Sequence, residues 1–172
     1  MTTPRAIILV EDIFNLFELW YPYYRLKEAG VSVSIVGPVK GKVYQGKPAT
    51  EIKADFSPEE INPETYDALV IPGGYAPDIM RRYPAMVDVV KKMDAAGKPI
   101  AAICHAGWML ASADILQGRN ATSFFAIKDD MINAGAIWED REVVIDRNLI
   151  TSRTPDDLPA FMKALLKAIR QE

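Results

Sequence analysis

One cysteine and one histidine are all that 172 residues supply of either type. A single cysteine excludes an intramolecular disulfide and suits a reducing compartment, so a cytoplasmic location is expected. One cysteine with one histidine also excludes a thiol-rich metal site. Long apolar runs are missing, so no stretch is expected to span a membrane. The run at 6–10 is too short for a signal peptide and is followed at once by Glu11 and Asp12. A basic surplus is missing as well. The net charge of −3 offers no field for nucleic acid and does not draw in acidic substrates. Repeats, low-complexity tracts and linkers are absent from the pattern. The length therefore fits one domain over residues 1–172, long enough to bury a sizeable core.

What is present is an alternation of strand and helix signals. Buried-strand runs are expected at 5–10, 68–71 and 100–103, because parallel strands covered on both faces read as continuous apolar stretches, and a strand that alternates valine and serine is expected at 31–36. Helical spacing is expected at 15–29, stopping at Gly30, and at 85–96, stopping at Gly97. A further helix closes at 131–134 before Gly135. A last one spans 155–169, with Thr154 as N-cap and Pro155 at its first position. Short hairpins are expected from 42–44 with 51–52 and from 143–145 with 149–151. Such alternation predicts an α/β sandwich with a mostly parallel central sheet. Sites in open sheets of this kind gather at the C-terminal ends of the strands. Three places meet that condition: the loop after Val10, the loop after Ile71, and Cys104.

Cys104 and His105 are neighbours in KPIAAICHAGWML, where a buried strand turns into a helix. A thiol at that turn lies near free backbone N–H groups and a helix's positive end, which favour the thiolate. The arrangement is that of a nucleophile elbow with cysteine in place of serine. The plain alternative is a buried structural cysteine. Adjacent residues on a helix point about 100° apart. A bond from His105 to Cys104 therefore needs a distorted turn; otherwise His105 caps the helix or faces a partner subunit.

Glu18, set among Leu16, Phe17, Leu19 and Trp20, is an exposed stripe residue or a buried acid with a raised pKa. Gly73 and Gly74 follow a buried strand and can present N–H groups to an anion, or form a simple turn. Asp78 alone reads as a helix N-cap. Tyr21, Tyr23 and Tyr24 read as core or interface aromatics. Lys128-Asp129-Asp130 reads as a solvated turn or helix start. Arg153, at a strand end, binds a substrate carboxylate or acts as a structural ion-pair partner.

The segments FELWYPYYRLKEAG, YDALVIPGGYAPD, KPIAAICHAG, IKDDMINAGA and ITSRTPDDL together resemble the PfpI group of the ThiJ/PfpI superfamily. That resemblance implies a flavodoxin-like three-layer α/β sandwich. It implies Cys104 as nucleophile, His105 as its companion and Glu18 as a buried acid bonded to the cysteine. Gly73, Gly74 and the His105 amide match the oxyanion hole. Asp78 falls where the group has a glutamate that reaches the Cys-His pair of a neighbouring subunit, which implies a homodimer or a hexamer. Phe124 and Arg153 fall on the substrate side.

Four departures stand out. Asn15 replaces an acid three residues before Glu18, and Asp78 is a methylene shorter than glutamate. Ala106-Gly107 replaces Gly-Pro, and Phe124 replaces a tyrosine. The function implied is a cysteine hydrolase that repairs methylglyoxal or glyoxal adducts of proteins and nucleotides or converts small carbonyl compounds glyoxalase-fashion, with no metal or other cofactor. The alternatives are an oligomeric cysteine peptidase and a stress chaperone or redox sensor that uses Cys104 without turnover.

Overall fold

The apolar runs become the inner strands of one six-stranded sheet in the computed structural model, which describes residues 3–170. In chain order the elements are β1 (Arg5–Leu9), β2 (Phe14–Asn15), α1 (Leu16–Glu28), β3 (Ser32–Val36), β4 (Val43–Lys47) and β5 (Thr50–Lys53). Then come β6 (Ala68–Ile71), α2 (Ala76–Met80), α3 (Pro84–Ala95), β7 (Ile100–Ile103) and α4 (Gly107–Ser112). The last third holds β8 (Asn120–Ala121), α5 (Lys128–Asn133), β9 (Ile137–Trp138), β10 (Val144–Asp146), β11 (Leu149–Ser152) and α6 (Leu158–Arg170).

The sheet order is β10-β11-β7-β6-β1-β3, and every pair except β10–β11 is parallel. Without the antiparallel edge strand β10, this is the doubly wound order of the flavodoxin-like fold. Strands β6 and β7 are buried at every residue, as a sheet covered on both faces requires. Helices α1 and α6 pack together over β1, β3 and β11, while α3 and α4 pack together with α3 over β6 and β7. Helix α6 buries Leu158, Phe161, Met162, Leu165 and Leu166, a spacing of three and four that lays one stripe on the sheet. The expected three-layer sandwich is the fold observed.

Some details differ from the sequence pattern. The last helix does not begin at Pro155: residues Pro155–Asp157 form a 3-10 turn, and Thr154 makes no side-chain cap. The Asp157 carboxylate holds that corner instead, accepting from the Arg153 backbone N–H at 3.0 Å. Asp78 is not an N-cap either; it lies within α2, whose cap position is Tyr75. The hairpin β4–β5 forms, and β4 also pairs with β2 next to the first helix. Among the described residues no helix is long and apolar enough to cross a membrane.

Candidate active site

The C-terminal ends of β1, β6 and β7 bring three loops together. Strand β7 ends at Ile103, and the chain turns at once through a 3-10 segment, Cys104–Ala106, into α4. Cys104 sits at the bend with φ of +62°, a conformation an L side chain adopts only at a cost of about 1–3 kcal/mol. That distortion decides the question left open by helix geometry. With Cys104 left-handed and the next turn tightened, Nδ1 of His105 lies 3.2 Å from Sγ of Cys104. The sulfur also accepts from the backbone N–H groups of Gly74 and His105.

The glycine loop after β6 places those donors. Gly74 has φ of +78°, and a Cβ there would lie 2.5 Å from both the Ile13 carbonyl and the Asn15 nitrogen. Only glycine fits this approach of two backbones. Gly73 is equally confined, but its N–H does not face the thiol. It donates to Glu18 Oε2 at 2.8 Å. Of the three amides expected to form an oxyanion hole, those of Gly74 and His105 face the sulfur and that of Gly73 is taken by the acid.

Glu18 is fully buried in the first turn of α1. Its position follows from Asn15, whose side chain accepts from the N–H groups of Phe17 and Glu18 and so starts the helix. Asparagine in place of an acid is therefore a working N-cap. Among the described residues the second carboxyl oxygen of Glu18, Oε1, has no hydrogen-bond partner. The carboxyl as a whole is hydrogen-bonded to the Cys104 thiol.

Burial pushes Glu18 up to about 7 from the ordinary 4.5. Burial, with the charge of an ionised Glu18, pushes the Cys104 thiol up to about 12. Two acids in one dry space cannot both ionise freely, so they titrate as a pair. The pair gives up one proton near neutrality. Glu18 is the acid that loses it, and the thiol beside it keeps its proton. A proton shift from the thiol to the Glu18 carboxylate would put the charge on sulfur, the form of a thiol that can attack an electrophile.

His105 is held below its usual pKa by burial, so it is neutral at pH 7. Its ring stacks on Phe124 at 5.0 Å and tilts against Trp108 at 5.1 Å. Trp108 is itself fixed by its indole N–H to Asp130. Phe124 thus replaces a hydroxyl donor with an apolar wall. Gly107 has a packing reason too: a Cβ there would run into the Met131 side chain of α5.

Two sequence candidates lie elsewhere. Asp78 pairs with Arg82 one turn along and does not reach Cys104 or His105 of its own chain. Arg153 donates through Nε and Nη2 to Asp157 and through Nη1 to Asp140, so it is an ion-pair partner and not a free carboxylate receptor. Tyr23 and Tyr24 stack with Trp20 in an aromatic cluster on α1. Three features of the site escaped the sequence: the Asn15 cap, the Gly73–Glu18 bond and the rings flanking His105. The first carried a signal, an asparagine directly before a helical run.

Gly73→Ala measures how tightly acid and nucleophile are held. The new Cβ would lie 2.5 Å from Glu18 Oε2, 2.7 Å from Cys104 Cβ and 2.9 Å from the Ile103 carbonyl. Backbone must move, so about 1–3 kcal/mol of stability should be lost in a denaturant titration. The alkylation rate of Cys104 by iodoacetamide should fall by up to about 100-fold, as expected when a reacting group moves by an ångström.

The family model described as DJ-1/PfpI family matches residues 4–168. The chain is 48% identical over 166 residues to a deglycase of Pyrococcus abyssi, covering 96% of this chain and 99% of that protein. It is 46% identical to the deglycase PfpI of Pyrococcus furiosus, with the same coverage. A solved two-domain protein of Anabaena variabilis, with DJ-1/ThiJ/PfpI-like and ferritin-like domains, superposes with a TM-score of 0.96 at 41% identity. The match takes in 97% of this chain and 48% of that one, so the chain spans about half the length of that protein.

Proposed function

Since the chain belongs to the DJ-1/PfpI family, we propose that it is a cysteine-dependent deglycase that returns methylglyoxal-modified amines to the free amine and releases lactate. The observation that carries this reading is the surround of Cys104: two backbone amides on the sulfur and the buried carboxyl of Glu18 hydrogen-bonded to it. The same words, deglycase, name the two Pyrococcus relatives.

The chemistry balances without an outside oxidant or reductant. The aminocarbinol R–NH–CH(OH)–CO–CH3 releases its amine as the carbinol collapses to the aldehyde, and the thiolate of Cys104 adds to that aldehyde carbon. The amides of Gly74 and His105 stabilise the oxyanion that forms. Glu18, titrating near neutrality, takes the C–H proton and returns it to the adjacent carbon, converting the hemithioacetal into a lactoyl thioester. Water hydrolyses the thioester, and lactate and the thiol are regenerated.

Peptide hydrolysis requires the acid of a second copy to orient His105. In the single chain Asp78 pairs with Arg82, and no other acid among the described residues is hydrogen-bonded to His105. The test is lactate release from methylglyoxal-treated serum albumin freed of unreacted methylglyoxal. Lactate should appear in step with recovered lysine and arginine side chains. Cleavage of fluorogenic peptides with no lactate above buffer would overturn the proposal.

A further inference from the structure

Sharing Phe124 with the surround of His105 is a cavity of about 270 Å³, with the rings of Phe124, Phe125 and Trp138 in its lining and Asp140 and Arg153 beside them. Phe124 is the wall it shares with the reacting centre. Its ring stacks on His105, and its backbone N–H donates to the Cys104 carbonyl at 3.2 Å. The Trp138 indole is fixed by its N–H to Ser123 Oγ at 3.0 Å. Phe125 is 72% exposed, a ring with most of its surface uncovered.

The charges select the ligand. An anion finds no free cation in Arg153, whose guanidinium is bound on both sides by Asp157 and Asp140. Asp157 is buried and used up in that bidentate pair, whereas the Asp140 side chain is 70% exposed and touches Arg153 through Oδ1 alone. Its Oδ2 is left for another donor. The Lys128 ammonium lies 5.0 Å from the Trp138 centroid and takes that ring, so the exposed Phe125 is the ring open to a further cation. Aromatic faces with one carboxylate oxygen suit a flat cation that stacks and donates in its plane, which describes a guanidinium and not an ammonium.

We infer that this cavity receives the side chain carrying the adduct and selects arginine-derived adducts over those of lysine and cysteine. The inference rests on the deglycase reading for its turnover arm. An arginine aminocarbinol carries a planar positive charge that the cavity holds while the carbinol collapses to the aldehyde that Cys104 then attacks. The lysine adduct offers no planar cation, and the cysteine hemithioacetal carries no charge at all.

The first measurement compares kcat/KM for purified methylglyoxal adducts of N-acetylarginine, N-acetyllysine and N-acetylcysteine. The arginine adduct should be favoured about fivefold or more, and Phe125→Ala and Asp140→Asn should each cut that ratio by about threefold. Equal constants for the three adducts, or a ratio unmoved in both variants, overturn the inference while leaving the deglycase reading intact. The second measurement needs no turnover. Cys104→Ala is titrated with N-acetylarginine amide and with its neutral analogue N-acetylcitrulline amide. The indole N–H resonance of Trp138, assigned by its loss in Trp138→Phe, should shift with the arginine compound only. Equal shifts with both, or none with either, reject the subsite even if no adduct is ever hydrolysed.

Discussion

Cys104→Ser is expected to lower lactate release by at least about 1000-fold while leaving the fold in place. Serine is the smaller side chain, tolerates the +62° backbone as cysteine does, and still faces the Gly74 and His105 amides. What it lacks is acidity. An alcohol must lose its proton to a base that a third group orients. His105 is a poor base here, because burial lowers its pKa and, among the described residues, its only polar contact is the sulfur through Nδ1. Among the described residues no acid stands behind it, and Asp78 is held by Arg82. A thiol needs far less help, and the two amides supply it. A serine variant that keeps a tenth of the activity would show that the nucleophile is another group.

Glu18→Gln should change how stability depends on pH. The Glu18 carboxyl has its pKa raised by burial, from 4.5 to about 7, so the folded state holds this proton more tightly than the unfolded chain does. Below about pH 4.5 both states are protonated and the group costs nothing. As pH rises from 4.5 to about 7 the unfolded state gains by ionising freely, and stability falls; above 7 the loss is complete. The gap corresponds to ~3 kcal/mol. Glutamine carries no charge to bury, so the variant escapes the fall. Relative to wild type it should gain ~3 kcal/mol between pH 4 and pH 8, roughly 6–12 °C in melting temperature for a chain of this size. Glu11, whose pKa is also raised by burial, is present in both proteins and cancels. A stability difference flat across that range would mean that Glu18 ionises as it would in water.

How much of this was legible follows from which interactions are local. The strands at 68–71 and 100–103 were readable because parallel strands bury both faces and leave an unbroken apolar run. The turn at Cys104 was readable because small residues and a helix former follow that run. The contact between Cys104 and His105 was not, because it depends on a positive φ at a residue where sequence gives no warning. The two-residue strands β2, β8 and β9 carry no periodicity to detect. Arg153 was ambiguous for a different reason. Asp157 is a helical neighbour and could be guessed, but Asp140 reaches it only through the fold. The division of labour between Gly73 and Gly74 was equally hidden, since it rests on where a helix from another part of the chain delivers Glu18.

Asn15 has a mechanical consequence. Its side chain fastens the start of α1, and its backbone N–H is bonded to the Gly73 carbonyl at 3.2 Å. One residue therefore clamps both the helix that bears Glu18 and the loop whose amide holds Glu18. Thermal motion of the two segments becomes a shared displacement and not a relative one. The carboxyl and its glycine travel as one body, and the coordinate left to fluctuate is the gap between that body and the sulfur on the β7 elbow.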